Sequence, residues 1–397
     1  MKAAAVGPLG EASAQMSLRR AQFLLFYTYF GFGTVLQVFP PLLGGLQREF
    51  GINHGTASLV MSLFLAPFVL TAIPAGMAAD RFGVAATGRA GGALMLAGTL
   101  VTLLAGSWPL VLAGRAIAGA GGGFLLVSAL KVGTETIPRD RLGISLGLFA
   151  AGLPVGTGVS FNLLRLVAES TSWKGALAGA LVVLASTLLM FELMAGRRSP
   201  SSGLSVNPAR ALRSAELWRL STITVLGYAA ILGFTTWAPT TLVGFAGIPL
   251  WGASLIASLL LVIDIPFAPL WGAVSDRVGR RRPFVILAFA VYLLGSLMVP
   301  FLAQTHSVAA LVLTIGGMGI GCAMFFPAAL TIPAETVTPD RAGAAYGLFF
   351  TAQVAGMLAG PMTIGQILDA AAPLVAFLGV SAITAGGFAL AFTLRSR

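Results

Sequence analysis

The sequence predicts an all-α membrane protein of twelve transmembrane helices in two pseudo-symmetric six-helix bundles. Composition, the spacing of apolar runs and an internal repeat lead to that fold class. Of 397 residues, 57% are hydrophobic and 9% charged, with a mean hydropathy of +0.92, whereas soluble domains carry about 25% charged residues. One helical crossing needs about 20 apolar residues, so crossings fill the chain and leave no room for a separate soluble enzyme domain. The alternating pattern of a β-barrel is absent.

In the first half, runs lie at about 22–45, 55–79, 90–106, 108–133, 142–168 and 173–195. The first, containing FLLFYTYFGFGTVL, closes before Arg48 and Glu49, and the second ends at Asp80 and Arg81. The third stops at Gly106–Ser107, and the fourth opens on Trp108–Pro109 and ends before Glu135. The fifth lies between Arg141 and Glu169, the sixth between Trp173 and Arg197. Six more follow at about 218–245, 250–275, 284–303, 308–333, 342–368 and 373–394. Their boundaries fall at Glu216, Asp276, Arg282, Glu335, Arg341 and Arg395 in the same manner. Gly and Pro inside the runs are tolerated because neighbouring helices satisfy the freed backbone groups.

Residues 1–20 read as a cytoplasmic tail, since MKAAAVGPLGEASAQMSLRR lacks the sustained apolar core of a cleaved signal. Residues 21–195 form the first bundle, 196–216 a basic linker rich in Ser, Pro and Gly, and 217–397 the second bundle. Lys2, Arg19, Arg20, Arg81, Arg139 and Arg277 share one side with most other bases, while Arg48, Arg165 and Lys174 fall on the other. Positive charge is retained in cytoplasmic loops, so both termini are expected in the cytoplasm and the chain in the inner membrane. The formal net charge of +11 is scattered between apolar runs, which excludes a nucleic-acid partner. One cysteine, Cys322, and two histidines, His54 and His306 in expected outer loops, offer no metal site. No catalytic constellation is present, and neither an enzyme activity nor a cofactor is expected.

The repeat has two landmarks. GMAADRFG at 76–83 matches GAVSDRVG at 272–279, pairing Gly76, Asp80, Arg81 and Gly83 with Gly272, Asp276, Arg277 and Gly279 at a displacement of 196. Downstream, ETIPRDRLGISLGLF from Glu135 matches ETVTPDRAGAAYGLF from Glu335 at a displacement of 200. Two landmarks repeated in order indicate duplication of a six-crossing unit, the architecture of alternating-access carriers.

At this point the chain resembles the major facilitator superfamily along its whole length. The resemblance rests on the G-x-x-x-D-R-x-G-R-R-R loop ending at Arg282, its partial copy at Gly76–Gly83, and R-x-x-x-G-x-G at Arg115, Gly119 and Gly121. It implies a secondary active carrier, often coupled to protons, working as a monomer in the lipid bilayer. It also implies a conformational latch: Asp80 and Asp276 would face the N-termini of crossings eleven and five, where Arg341 and Arg141 wait, with Arg277 and Arg280 alongside. The first copy departs from the pattern, because Val84 follows Gly83 where a base is usual and Arg89 is the nearest replacement.

Ionisable residues inside a bilayer invite functional hypotheses. Asp264 lies twelve residues before Asp276, about 18 Å from the turn at 1.5 Å per residue, with Pro266 and Pro269 opening the backbone beside it. It is the candidate proton carrier or cation partner. Arg115 occupies the position that similar carriers link to proton transfer, its bland alternative being an anchor satisfied by carbonyls. Lys131 is expected to snorkel at the cytoplasmic end of its helix, and Arg165 to mark the outer interface or attract an anion. Gln37, Asn162, Tyr228 and Gln353 are candidate cavity groups, with Trp237 a stacking wall.

The surplus of Arg115, Lys131 and Arg165 over Asp264 points to a proton-coupled carrier of a small anionic solute. The pattern weakly resembles the cyanate and nitrate porter branches, but crossing two lacks the arginine of the nitrate type, which disfavours nitrate. The alternatives are proton-driven efflux of hydrophobic or cationic compounds, and a non-transporting receptor or scaffold. GLPVGTG at 152–158 departs from the G-P-x-x-G-G motif of similar exporters.

Overall fold

The computed structural model describes residues 17–195, 212–338, 341–370 and 373–395. The expected tail up to residue 16, most of the expected linker and the side chain of His54 lie outside the described residues.

Among the described residues there are twelve helical spans long and apolar enough to cross a membrane. Spans 1–6 are Leu18–Leu42, Leu59–Phe82, Val84–Leu103, Trp108–Thr136, Arg139–Ser170 and Trp173–Met194. Spans 7–12 are Ala215–Pro239, Gly252–Val278, Arg282–Gln304, Val308–Thr336, Ala342–Leu368 and Leu374–Ala391. No β-strand occurs among the described residues.

Side-chain caps start several of the helices. Ser17, Ser214 and Ser307 accept from the backbone N–H three residues on, at 3.4 Å in each case, and Asn53 does so at 2.8 Å. The first helix ends at Gln37, and Pro40–Leu42 form a single tight turn before a short helix at Leu43–Phe50. The first apolar run is therefore two elements.

Span 3 begins at Val84, well before the expected 90, because Arg89 does not end the helix. It donates to the Ala85 carbonyl at 3.2 Å and pairs with Glu192 at 3.5 Å from an exposed position. Gly83 and Gly279, which close the two D-R-x-G turns, have φ of 88° and 67°. That left-handed region is costly for any residue with a Cβ.

Spans 1–6 pack on one another, as do spans 7–12, and the halves meet chiefly through span 2 on span 11 and span 5 on span 8. Both crossings close on glycine. A Cβ on Gly76 would overlap the Gly343 carbonyl, and one on Gly347 the Ala72 carbonyl. Counterparts recur at Gly272 against Gly143, and at Gly147 against Ala268. The residues that repeat in the sequence are thus the residues that touch, and they lie at one face of the molecule, termed here the latch face.

Replacing Gly147 by Val should hold spans 5 and 8 apart. With a cysteine at Ile144 and Cys322 replaced by Ser, an impermeant maleimide should label the Gly147→Val protein several-fold faster than the parent. Gly158→Val, where nothing lies within 4 Å of the added carbon, should leave the rate unchanged.

Candidate functional site

Two carboxylates stitch the halves together at the latch face. Asp80, in the last turn of span 2, accepts from the backbone N–H groups of Gly343 and Ala344 at 2.9 Å each. Those groups open span 11, where a helix has unsatisfied donors and a positive dipole end. Asp276, in the last turn of span 8, does the same at the start of span 5, accepting from Gly143 at 2.8 Å and Ile144 at 2.9 Å. Each carboxylate can reach a helix of the other half only because glycines let the backbones touch.

The cations differ from those expected. Arg141 is exposed and pairs with Asp140 at 3.8 Å, so it does not serve Asp276. Arg281 does, donating to Asp276 at 2.8 Å, to Ser275 Oγ at 2.6 Å and to Glu335 at 3.0 Å. On the other side Arg341 is half-buried at the start of span 11, and the cation that reaches Asp80 is Lys131, at 2.8 Å with both side chains wholly buried. Lys131 also donates to the Ala79 carbonyl at 3.1 Å and lies 3.9 Å from Glu135. It does not snorkel, and it fills the place of the base missing after Gly83. Arg89 does not fill that place, being engaged with Glu192. Arg81, Arg277 and Arg280 are exposed.

At mid-depth a second cluster spans the two halves. Span 8 is broken there: one helix ends at Val262 and the next begins at Asp264. Pro266 has no N–H for the Val262 carbonyl, so the break is written into the sequence. Asp264 is within electrostatic reach of Tyr29, Tyr228 and Cys322. Tyr29 lines a cleft together with Gln353, stacks on Phe149 with centroids 4.2 Å apart and faces Phe326 at 6.4 Å. Tyr228 packs on Phe325 and Phe326 at 6.2 and 5.9 Å. The Gln353 carbonyl oxygen is buried without a hydrogen-bond partner. A narrow cleft between the halves touches this cluster, lined by Tyr29, Phe32, Leu36, Phe350, Gln353 and Met357 among others.

The remaining expected site residues lie elsewhere. Arg115 is fully buried and donates to the carbonyls of Val60, Val35 and Leu36 at 3.0, 3.0 and 3.2 Å, between the rings of Phe39 and Phe64. It ties span 4 to spans 1 and 2 in the manner of an anchor. Arg165 is exposed at the far face, paired with Glu169 at 2.8 Å. Asn162 is exposed in a π-helical turn and donates to the Gly158 carbonyl at 2.9 Å. Trp237 donates to the Pro361 carbonyl at 2.9 Å and fastens span 7 to span 11 within one half. Gln37 is half-buried at the end of the first helix and is not among the cleft-lining residues. Of the named residues, Gln353 lines the cleft, while Asp264 and Tyr228 lie within electrostatic reach of its Tyr29 without lining it. The three bases do not come together, so the expected surplus of positive charge at mid-membrane is not built. Tyr29 and Arg281 were not anticipated: the one is a tyrosine in an aromatic-rich apolar run, the other one of three adjacent arginines.

The family model described as Major Facilitator Superfamily matches residues 24–263 and 247–397. A probable nitrate/nitrite antiporter, NarK1, of Thermus thermophilus is 28% identical over 76% of this chain and 74% of that protein. The nitrite extrusion protein of Bacillus subtilis (strain 168) is 24% identical over 66% of each. The lysosomal dipeptide transporter MFSD1 of Danio rerio is 25% identical over 89% of this chain and 74% of its own length. In fold, the chain is similar to the crystal structure of the human organic anion transporter MFSD10 (TETRAN), with a TM-score of 0.76 over 94% of this chain and 99% of that one, at 16% identity.

Removing Lys131 leaves the buried Asp80 charge without its cation, a change that costs about 3–5 kcal/mol. Lys131→Met should therefore lower the thermal midpoint of the purified protein sharply, and the Asp80→Asn/Lys131→Met double variant should recover most of the loss. Arg141→Ala, at an exposed pair, should change stability by less than about 1 kcal/mol.

Proposed function

The chain belongs to the major facilitator superfamily, and from that premise we propose that it carries a small anionic solute by alternating access, coupled to protons through Asp264. The observation that carries this reading is the placement of Asp264 at the break in span 8, within electrostatic reach of Tyr29 and Tyr228. Among the described residues no base lines the adjoining cleft. An ionised Asp264 would repel an anion about 5 Å away by about 3 kcal/mol at an effective dielectric of 20. A protonated one removes that repulsion and offers an O–H donor beside the Tyr29 and Tyr228 hydroxyls and the Gln353 amide. Solute and proton therefore load together.

Two of the relatives are named for anions, nitrate and nitrite, which agrees with an anionic solute, and a third is named for dipeptides. Span 2 has no arginine at depth, Arg81 being at its latch end, and the cleft is lined by rings and aliphatic side chains. An organic carboxylate suits that lining better than nitrate. In this reading the Asp80 and Asp276 contacts are the latch that closes one face while the solute site communicates with the other. The clustered arginines support a cytoplasmic latch face with both termini inside, and in this reading the protein resides in the inner membrane. The working unit is the monomer.

Asp264 also supports a second reading, efflux of a hydrophobic cation, because an ionised carboxylate near aromatic rings attracts positive charge. Asp264→Asn separates the two. In proteoliposomes, an anion carrier with this substitution should retain solute exchange across the membrane and lose accumulation driven by a pH gradient. Loss of cation transport with no anion exchange in either protein would establish the efflux reading instead. Absence of any solute-dependent proton flux in the unsubstituted protein would end the coupling proposal.

A further inference from the structure

Beside the Asp276 latch lies a second cavity that solute movement does not require. It has a volume of about 350 Å³ between the starts of spans 7 and 9 and the ends of spans 10 and 12, and its charged lining is Arg219, Arg281, Arg282, Arg395, Glu216 and Glu335. Both carboxylates are engaged. Glu216 accepts from the Arg395 backbone N–H at 2.9 Å and stands 3.5 Å from the Arg219 guanidinium. Glu335 accepts from Arg281 at 3.0 Å.

Four guanidiniums face two carboxylates in the lining, and with Asp276, 2.8 Å from Arg281, counted in, one positive charge is left over. Two helix starts add to it: span 7, capped by Ser214, and span 9, which opens at Arg282. The positive ends of their dipoles fall at this cavity. Arg282 uses one terminal nitrogen on the Phe392 carbonyl at 2.6 Å, while its Nε is buried with no hydrogen-bond partner. A buried guanidinium N–H without an acceptor is costly, and an incoming oxyanion is the group that would satisfy it.

We propose that this cavity binds a phosphoryl group, presented by an anionic lipid headgroup or by a soluble phosphate compound. The donors select the class: several guanidiniums converge on one cavity, and a phosphoryl group offers three acceptor oxygens to a carboxylate's two. Planar guanidinium forks match phosphoryl oxygens in pairs, and the cavity has room for substituents beyond the phosphate itself. Arg281 also serves Asp276, so the site adjoins the latch of one half. Lys131, which serves Asp80 in the other half, takes no part in it.

The test is thermal unfolding of the full chain in nonionic detergent, independent of any transported solute. Inorganic pyrophosphate is titrated against sodium chloride of equal ionic strength, and phosphatidic acid micelles against phosphatidylcholine micelles. The midpoint should rise with pyrophosphate, phosphatidic acid or both. In the Arg219→Gln/Arg395→Gln variant, whose two sites are exposed, the apparent affinity should fall about ten-fold or more. Arg165→Gln/Lys174→Gln, at the far face, should respond as the parent does. A response to phosphatidic acid alone assigns the lipid source, and one to pyrophosphate alone the soluble source. No rise with either probe, or an undiminished rise in the Arg219→Gln/Arg395→Gln variant, overturns the proposal.

Discussion

Spans 5 and 11 both begin against the opposite half of the molecule, and a helix start is a place where backbone N–H groups have no partner of their own. Asp80 and Asp276 supply that partner from across the boundary, each using both oxygens on two consecutive N–H groups. The arrangement ties together features that look separate. Glycines are needed at 76, 143, 272 and 343 because a short aspartate reaches the helix start only when the backbones are nearly in contact. The contact is also reversible, since water can replace the carboxylate at each N–H. Hydrogen bonds to a charged acceptor contribute about 1.5–3 kcal/mol each, so the four hold the halves firmly, and exchange between states requires that water or other groups take over the carboxylates as the halves part.

Duplication produced two such contacts, but the cations have diverged. In the first half the base comes from inside a helix, four residues before Glu135. In the second it comes from the loop, and Glu335 steadies it. The consequence is a difference in exposure to the surroundings. Lys131 and Asp80 are sealed from water, whereas Arg281 borders an open, charged cavity. An ion pair in the dry position responds mainly to helix separation. One at a cavity wall responds also to what occupies the cavity.

The helical spans and the duplicated contact were legible because their signals are local: apolar length in the one case, a motif present twice in the other. Asp264 was legible for a similar reason, as an acid followed by two prolines in an apolar run. Partners across the fold were not. Asp80 and Lys131 are separated by 51 positions, and a lysine near a helix end is equally compatible with reaching the membrane surface. Arg141 sits beside the N–H groups that Asp276 occupies, yet from the cap of that helix its side chain points to solvent while Arg281 approaches from behind the carboxylate. Depth in the membrane signals that Arg115 is costly. It does not signal that three carbonyls of spans 1 and 2 satisfy it.

The rings above the latch set a further condition on the proposed cycle. Tyr29 belongs to the first half, yet it shares a cleft wall with Gln353 and faces Phe326 of the second. Phe350 of the second half meets Phe68 and Phe149 of the first at 5.9 and 6.5 Å. Releasing the two aspartates therefore does not by itself open a path, because this ring layer still lies between the latch face and the cleft. A rocking motion that opens the latch face has to part Tyr29 from Gln353 and Phe326, and both contacts adjoin Asp264. The residue proposed to hold the proton is thus placed where the two halves separate. The free energy of its protonation then depends on which face is open, as coupling of proton to solute requires.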